Sequence, residues 1–256
     1  MTEDTSWLKA LVILLYYDRP NMLRNALRSF AEAASQHANS VLVVNDDGSP
    51  RPADPIVREM FPEEFGKTIF VKRSDITWEK KAASGGLVGM AMNRIIAGSD
   101  ADFAMMLCDD DMLHPQAIRA AAGFFANNPD ILSCYGHVLR YDPLAYNGCG
   151  VPEDASPDGF QVPLNAHVGP INGCCLVDAS QVAWRLSCNK ERSCWFDYPR
   201  TKDLDARFFN ELFHRCGPMH FAGCVFQYKG VHPRQLGVVG LERAWAEGGL
   251  DADGEQ

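Results

Sequence analysis

The sequence lacks the short signatures of several common binding classes. It contains no G-x-G-x-x-G and no Walker A loop, which excludes ordinary dinucleotide-binding and P-loop proteins. No C-x-x-C pair occurs among its nine cysteines, and the odd count and the adjacent Cys174 and Cys175 fit neither a zinc site nor a disulfide framework. We therefore predict that all nine thiols are reduced and structural, as in a reducing compartment.

Long apolar runs are also missing. The longest, Leu8 to Tyr17, is interrupted by Lys9 and is too short to span the ~30 Å hydrocarbon layer of a membrane. Glu3 and Asp4 precede it, where a secretory signal would carry Lys or Arg. The sequence predicts a cytoplasmic chain without a membrane span.

Positive charge is in deficit, with 24 Lys and Arg against 33 Asp and Glu, for a net charge of −9. Proteins that bind nucleic-acid backbones usually carry the opposite excess, because Lys and Arg displace counterions from phosphate. Part of the acidity lies in the C-terminal tail, residues 247–256, which we interpret as a solvated end. Nucleic acid is therefore disfavoured as a general partner and stays possible only as an acceptor.

What the chain does have is an alternation of strand and helix patterns. Its 256 residues, 46% of them hydrophobic, can bury a substantial core. Predicted strands cover Leu8–Tyr16, Ser40–Val44, Thr68–Val71, Phe103–Leu107, Ile131–Leu139, Gly173–Val177 and His220–Tyr228. Predicted helices run from Pro20, over Leu87–Ile96, from His114 to Asn127, over Ala179–Leu186 and over Leu204–Cys216. This order predicts an α/β fold with a mostly parallel central sheet flanked by helices.

Polar clusters follow three of these strands. They are Tyr17-Asp18, Asn45–Gly48 and Asp109–Asp111, and the carboxyl ends of strands in open α/β sheets form the ligand crevice. Adjacent carboxylates repel one another unless a cation compensates them, so Asp109–Asp111 indicates either an Mg²⁺ or Mn²⁺ site or a solvated turn that caps the next helix. Asp47 is either a turn residue or an acceptor for a nucleobase N–H. Tyr17 is either the last apolar residue of its strand or a stacking platform for a base.

Taken together, these motifs resemble those of inverting family 2 glycosyltransferases with the GT-A fold. Tyr17-Asp18-Arg19-Pro20 resembles the opening T-Y-N-R-P, residues 43–49 resemble V-V-D-D-G-S, and residues 108–115 resemble D-x-D-D…H-P. Asn93 matches a recurrent asparagine of the family. The chain is similar in particular to the bacterial spore-coat polysaccharide glycosyltransferase type, in Ser74-Asp75-Ile76 and in Asp205-Ala206-Arg207-Phe208-Phe209. The resemblance covers about residues 8 to 215.

The resemblance implies one GT-A domain over residues 1–256. Its nucleotide-sugar half would cover about 8–140 and its acceptor half about 141–240. It also implies metal-dependent transfer of a hexosyl or pentosyl group, with inversion, from a UDP- or dTDP-sugar to an acceptor hydroxyl of a polysaccharide, glycan or small molecule. The implied site residues are Asp205 as catalytic base, Tyr17, Asp47, Asn93 and Asp109 for the donor, and Asp110 for the metal, Mn²⁺ or Mg²⁺.

This chain departs from the family pattern at some positions. Cys108 occupies the place of the first Asp of the D-x-D pattern, so Asp111 is expected to assist Asp110 in holding the metal. A family arginine that contacts the base falls on Ala82, which leaves Lys80 or Lys81 as a substitute. In the segment after the last strand, His232 could complete the metal shell, and Lys229 or Arg234 could bind the diphosphate.

Two alternatives stay open on the sequence alone. The acceptor could be a hydroxymethylated base in DNA, guided by a basic strip around Arg73, Lys80 and Lys81, as in some phage enzymes. The chain could also be a non-catalytic nucleotide-sugar-binding protein, because a fold does not guarantee an activity.

Overall fold

The computed structural model describes residues 5–74, 87–141, 170, 179–196 and 204–230. Its centre is an eight-stranded mixed sheet in the spatial order β3-β2-β1-β4-β7-β6-β8-β5. The strands are β1 (Ala10–Tyr16), β2 (Ser40–Asp46), β3 (Ile69–Arg73), β4 (Phe103–Cys108), β5 (Met112–Leu113), β6 (Ser133–Tyr141), β7 (Val182–Arg185) and β8 (His220–Gly230). The pairs β1–β2, β2–β3, β1–β4 and β6–β8 are parallel, which confirms the predicted mostly parallel α/β sheet.

Helices cover both faces of the sheet. They are α1 (Pro20–Ser35), α2 (Ala53–Met60), α3 (Leu87–Ala97), α4 (Ala117–Asn127), α5 (Ser187–Lys190) and α6 (Leu204–Cys216). One core lies under α1, α2 and α4 and contains alternate strand residues such as Val12 and Leu14. The other lies under α3 and α6 and contains their neighbours Leu11 and Ile13. Because successive side chains of a strand point to opposite faces, a continuously apolar strand fills both cores.

One predicted element is wrong in type. The segment Ala179–Leu186 was predicted as a helix, but it forms a 3₁₀ turn at Ala179–Gln181 followed by β7. β7 pairs antiparallel with β4 on one side and with β6 on the other. A strand this short and buried on both faces has no polar alternation to distinguish it from a helix, so only its pairing partners identify it. Trp184, in this strand, is fully buried.

The sequence analysis also missed three elements, the helices α2 and α5 and the two-residue strand β5. The predicted strand Gly173–Val177 lies outside the described residues. In the ranges that the structure does describe, every helix is too short or too polar to span a lipid bilayer.

The six described cysteines carry free thiols. Three of them lie near one another where α6 ends. The Sγ atoms of Cys194 and Cys216 are 3.5 Å apart, and a hydrogen bond from Cys188 lowers the pKa of the Cys216 thiol to about 6.

The carboxyl ends of β1, β2 and β4 lie side by side. Tyr16 is level with Asp46 of β2, and Leu15 is level with Cys108 of β4. The polar residues that directly follow these strands are therefore brought to one edge of the sheet, as the sequence predicted.

Substitution of Gly136 tests the packing between β6 and β8. A Cβ atom at this position would lie 2.4 Å from Phe226 Cγ and 3.0 Å from the Cys224 carbonyl oxygen. We expect Gly136→Ala to lower the free energy of unfolding by about 1–3 kcal/mol, because Phe226 is fully buried and has no room to move. Urea denaturation measures this change. Gly123→Ala in α4, where a Cβ would contact nothing within 4 Å, is the control and should raise stability by about 0.5–1 kcal/mol. Equal effects of the two substitutions would contradict the described packing.

Candidate functional site

Three consecutive carboxylates lie just beyond the end of β4, and all three are buried. Asp109, Asp110 and Asp111 are 4%, 7% and 1% exposed. The Asp109 backbone N–H donates to the Leu15 carbonyl oxygen (3.0 Å), and Asp111 Oδ1 accepts from the Gly230 N–H (3.0 Å). The residue that caps α4 is Gln116, which makes no side-chain capping bond. The triplet is therefore not the solvated capping turn that the sequence left open.

Arg19 compensates part of this buried charge. Its Nη1 lies 2.9 Å from Asp109 Oδ1 and 2.8 Å from Asp110 Oδ2. Burial alone lowers the pKa of Arg19, but the two carboxylates outweigh it and raise that pKa above its usual range. The sequence analysis gave Arg19 no role, although its place directly before the helix-opening Pro20 put it at the strand end.

Asp109 also fixes the backbone that follows β1. Its Oδ2 accepts a hydrogen bond from the Tyr17 N–H (2.9 Å). Burial, and then the nearby Asp109 charge, raise the pKa of the Tyr16 phenol above its usual range, so this hydroxyl stays protonated. It donates to the Arg51 carbonyl oxygen at 2.7 Å. Tyr17 is thus held next to the carboxylates through its main chain.

Asp18 links the loops that follow β1 and β2. It adopts a left-handed backbone conformation (φ 55°), which asparagine and aspartate tolerate better than most residues. Its Oδ1 accepts from Arg51 Nε (2.8 Å), Arg51 Nη2 donates to its carbonyl oxygen (2.7 Å), and its own N–H donates to Ser49 Oγ (3.1 Å). Arg51 is a second basic residue of the site that the sequence analysis did not identify.

The two aspartates after β2 have different surroundings. Asp46 is fully buried, and its oxygens accept from the N–H groups of Ser49 (2.8 Å) and Ala53 (2.9 Å). It therefore builds the turn and the start of α2. Gly48 within the turn has φ 74°, which glycine adopts without a steric cost. Asp47 is half-buried, and its N–H donates to the Tyr16 carbonyl oxygen (3.1 Å), which places it at the edge of the sheet.

The donor atoms at this edge fit a divalent cation. Among the described residues, one group of possible metal ligands lies within 4.8 Å of one another. It consists of Cys108 Sγ and one carboxylate oxygen each from Asp110 and Asp111. Mg²⁺ and Mn²⁺ prefer carboxylate oxygens, and Mg²⁺ commonly uses only one or two of them together with substrate phosphate. Asp110 and Asp111 supply such ligands, whereas a thiol suits softer metals.

The structure describes two of the remaining predicted site residues, Asp205 and Asn93. Asp205 is in the first turn of α6, where its Oδ1 accepts from the Ala206 N–H (2.9 Å). Asn93 of α3 uses both ends of its amide on Phe196, donating to its carbonyl oxygen (2.9 Å) and accepting from its N–H (3.0 Å). Lys81, His232 and Arg234 lie outside the described residues.

No protein-family profile matches the sequence, and no curated protein matches it. Among solved structures, S. aureus TarS 1-349 is similar, with a TM-score of 0.62 and 18% identity over 89% of this chain and 61% of that one. The same fragment in complex with UDP has a TM-score of 0.61 and 18% identity over 89% of this chain and 62% of that one. In complex with UDP-GlcNAc it has a TM-score of 0.62 and 16% identity over 88% of this chain and 59% of that one. This chain thus spans about three fifths of that fragment. The likeness, together with the curled, mostly parallel sheet, shows the GT-A fold.

Arg19 is predicted to be required for the stability of this edge. Arg19→Ala leaves buried carboxylates without their counter-charge, so we expect the free energy of unfolding to fall by about 3 kcal/mol. Urea denaturation at neutral pH measures the loss. The control is Arg24→Ala, which removes a solvent-exposed pair with Glu59 and should cost less than about 1 kcal/mol. If Arg19→Ala cost no more than Arg24→Ala, Arg19 would not be the compensating charge.

Proposed function

We propose that this chain is a glycosyltransferase that moves a hexosyl or pentosyl group from a UDP- or dTDP-sugar to an acceptor hydroxyl. The observation that carries the proposal is the buried Asp109–Asp111 triplet beside Tyr17 at the carboxyl edge of a GT-A sheet. The likeness to TarS structures containing UDP and UDP-GlcNAc supports UDP as the nucleotide.

In this proposal the nucleoside binds where β1 and β2 end. The Tyr17 ring stacks on the base, and Asp47, half-buried at the edge, accepts the base N–H. Asp109 contacts the ribose. Asp109 already holds the backbone after β1 in place, because its two oxygens accept hydrogen bonds from Arg19 and from the Tyr17 N–H. Tyr17, Arg19 and the ribose would then be positioned by a single carboxylate.

The diphosphate is proposed to lie next to Asp110 and Asp111, which would hold Mn²⁺ or Mg²⁺. Such an ion, when bound, stabilises the negative charge of the departing diphosphate. Arg19 already contacts Asp110 and adds a fixed positive charge to the same region. We further propose, on the resemblance, that His232 completes the metal shell, that Arg234 or Lys229 binds the diphosphate, and that Lys81 contacts the base.

Asp205 is the proposed general base. A carboxylate within ~3 Å of the acceptor hydroxyl takes its proton as the oxygen attacks the anomeric carbon. The new carbon–oxygen bond forms while the bond to the diphosphate breaks, and its electron pair leaves with the diphosphate. One displacement with the base opposite the leaving group inverts the anomeric configuration.

DNA as the acceptor has less support. Of the basic strip proposed to guide it, Arg73 is the described member, and its Nη2 donates to the Ser49 carbonyl oxygen (2.8 Å). This contact supports the turn after β2, so the structure gives Arg73 a role that needs no DNA.

The substitution Asp205→Asn tests the chemical step. It keeps the shape of the side chain and removes the base, so we expect the release of UDP from UDP-GlcNAc or UDP-glucose, with a mixture of glycan acceptors, to fall by about 100-fold to 10,000-fold. The affinity for UDP, measured by calorimetry, should not change.

Asp54→Asn is a matched control, since Asp54 also lies in the first turn of a helix and is solvent-exposed. It should leave turnover unchanged. Wild-type turnover by Asp205→Asn would refute the base assignment. If the wild-type protein binds UDP but shows no sugar transfer to any acceptor, the result would favour the non-catalytic alternative.

A further inference from the structure

A concave site is lined by residues other than the carboxylate cluster. It is an open pocket of about 630 Å³ between α6 and residues 193–196. Its wall includes Asn93, Ser193, Trp195, Arg207, Asn210 and His214, and none of Asp109, Asp110 and Asp111. Its size falls within the ~300–1,000 Å³ range of small-molecule sites.

Trp195 provides an aromatic surface in this pocket. Its side chain is half-buried and packs partly against the core under α3 and α6, while it also lines the pocket. Its neighbours Cys194 and Phe196 are both fully buried. The indole therefore has one part anchored in the protein and one part available to a ligand, the arrangement in which aromatic residues contribute most to recognition.

The backbone on both sides of Trp195 is fixed by hydrogen bonds. The Cys194 N–H donates to the Cys188 carbonyl oxygen (3.0 Å), and its carbonyl oxygen accepts from the Asn189 amide. Phe196 is held through both its N–H and its carbonyl oxygen by Asn93. The aromatic surface is thus preorganised, which reduces the entropy lost when a ligand binds.

The same segment carries backbone strain and is joined to α6. Ser193 is one of two non-glycine residues in the described ranges with a left-handed backbone (φ 56°), a conformation that costs energy and occurs often at functional sites. Arg192 Nη1 donates to the Arg215 carbonyl oxygen (3.0 Å), and the Cys194 and Cys216 sulfurs are 3.5 Å apart. These contacts hold the two walls of the pocket at a fixed separation.

The opposite wall is the polar face of α6. Arg207, Asn210, Glu211 and His214 recur at intervals of three and four residues, so they share one face, while Phe208, Phe209 and Leu212 are buried on the other. Glu211 forms an ion pair with Arg215 (2.5 Å). The wall offers a guanidinium, an amide and an imidazole, and its formal charge is positive in a chain whose net charge is −9.

We propose that this pocket binds an oligosaccharide and is the acceptor subsite of the transferase. A sugar ring presents a flat face of C–H groups and an edge of hydroxyls, which match an aromatic surface opposite a row of polar side chains. The subsite lies on the helix that also carries Asp205. The assignment to the acceptor rests on the proposed function, whereas oligosaccharide binding does not.

Binding of defined oligosaccharides to the full chain tests the proposal. The probes are the neutral cellotriose and triacetylchitotriose and the acidic trigalacturonate. Saturation-transfer NMR and tryptophan fluorescence measure their binding. We expect at least one probe to bind, and Trp195→Ala and Asn210→Ala each to weaken it about tenfold. Because Trp195 also packs on the core, the exposed Asn210 gives the result that does not depend on folding.

Trp7→Ala, at a tryptophan that is 63% exposed outside the pocket, and Arg28→Ala on the surface of α1 are controls that should not change binding. Binding of no probe by the wild type, or equal binding by the pocket variants, would overturn the proposal. UDP binding and UDP-sugar turnover, measured on the same protein, separate the subsite proposal from the transferase proposal. UDP-sugar turnover without oligosaccharide binding refutes only the subsite, and oligosaccharide binding without UDP binding refutes only the transferase.

Discussion

The structure of the carboxyl edge depends on how three adjacent buried carboxylates are compensated. Like charges taken out of water repel one another strongly, so Asp109–Asp111 requires positive charge or hydrogen-bond donors close by. Arg19 supplies the charge, and the N–H groups of Tyr17 and Gly230 supply donors to Asp109 and Asp111. The backbone after β1 and the end of β8 are thereby tied to the end of β4. A diphosphate with a divalent ion would enter a site whose electrostatics are already arranged.

A second level of constraint joins the loops around this edge. Asp46 builds the turn after β2 with both of its oxygens, and the contacts among Asp18, Arg51 and Ser49 connect that turn to the loop after β1. Polar contacts, some buried and some half-buried, therefore connect the loops that would bind a nucleotide. The side-chain amides of Asn93 and Asn189 likewise fix the backbone of the segment that carries Trp195.

Sequence patterns predicted the features that depend on local chemistry. Continuous apolar runs identified β1 and β4, Pro20 identified the start of α1, and the polar residues after each strand identified the edge where they meet. The pattern failed where long-range contacts decide the outcome. β7 is a strand because β4 and β6 lie on either side of it, and Arg19 belongs to the site because the end of β4 lies beside it. Asp111 likewise accepts a hydrogen bond from the N–H of Gly230, which lies more than a hundred residues further along the chain.

The proposed function requires that the carboxylate edge bind a nucleoside diphosphate together with a divalent ion. Calorimetric titration of the wild-type chain with UDP and with dTDP, first in Mn²⁺ and then in EDTA, tests it most directly. We expect binding of UDP in Mn²⁺ that is lost in EDTA and in an Asp110→Asn, Asp111→Asn double variant. Absence of binding by either nucleotide in every condition would contradict the claim, and the carboxylates would then serve only to hold the ends of β1, β4 and β8 together.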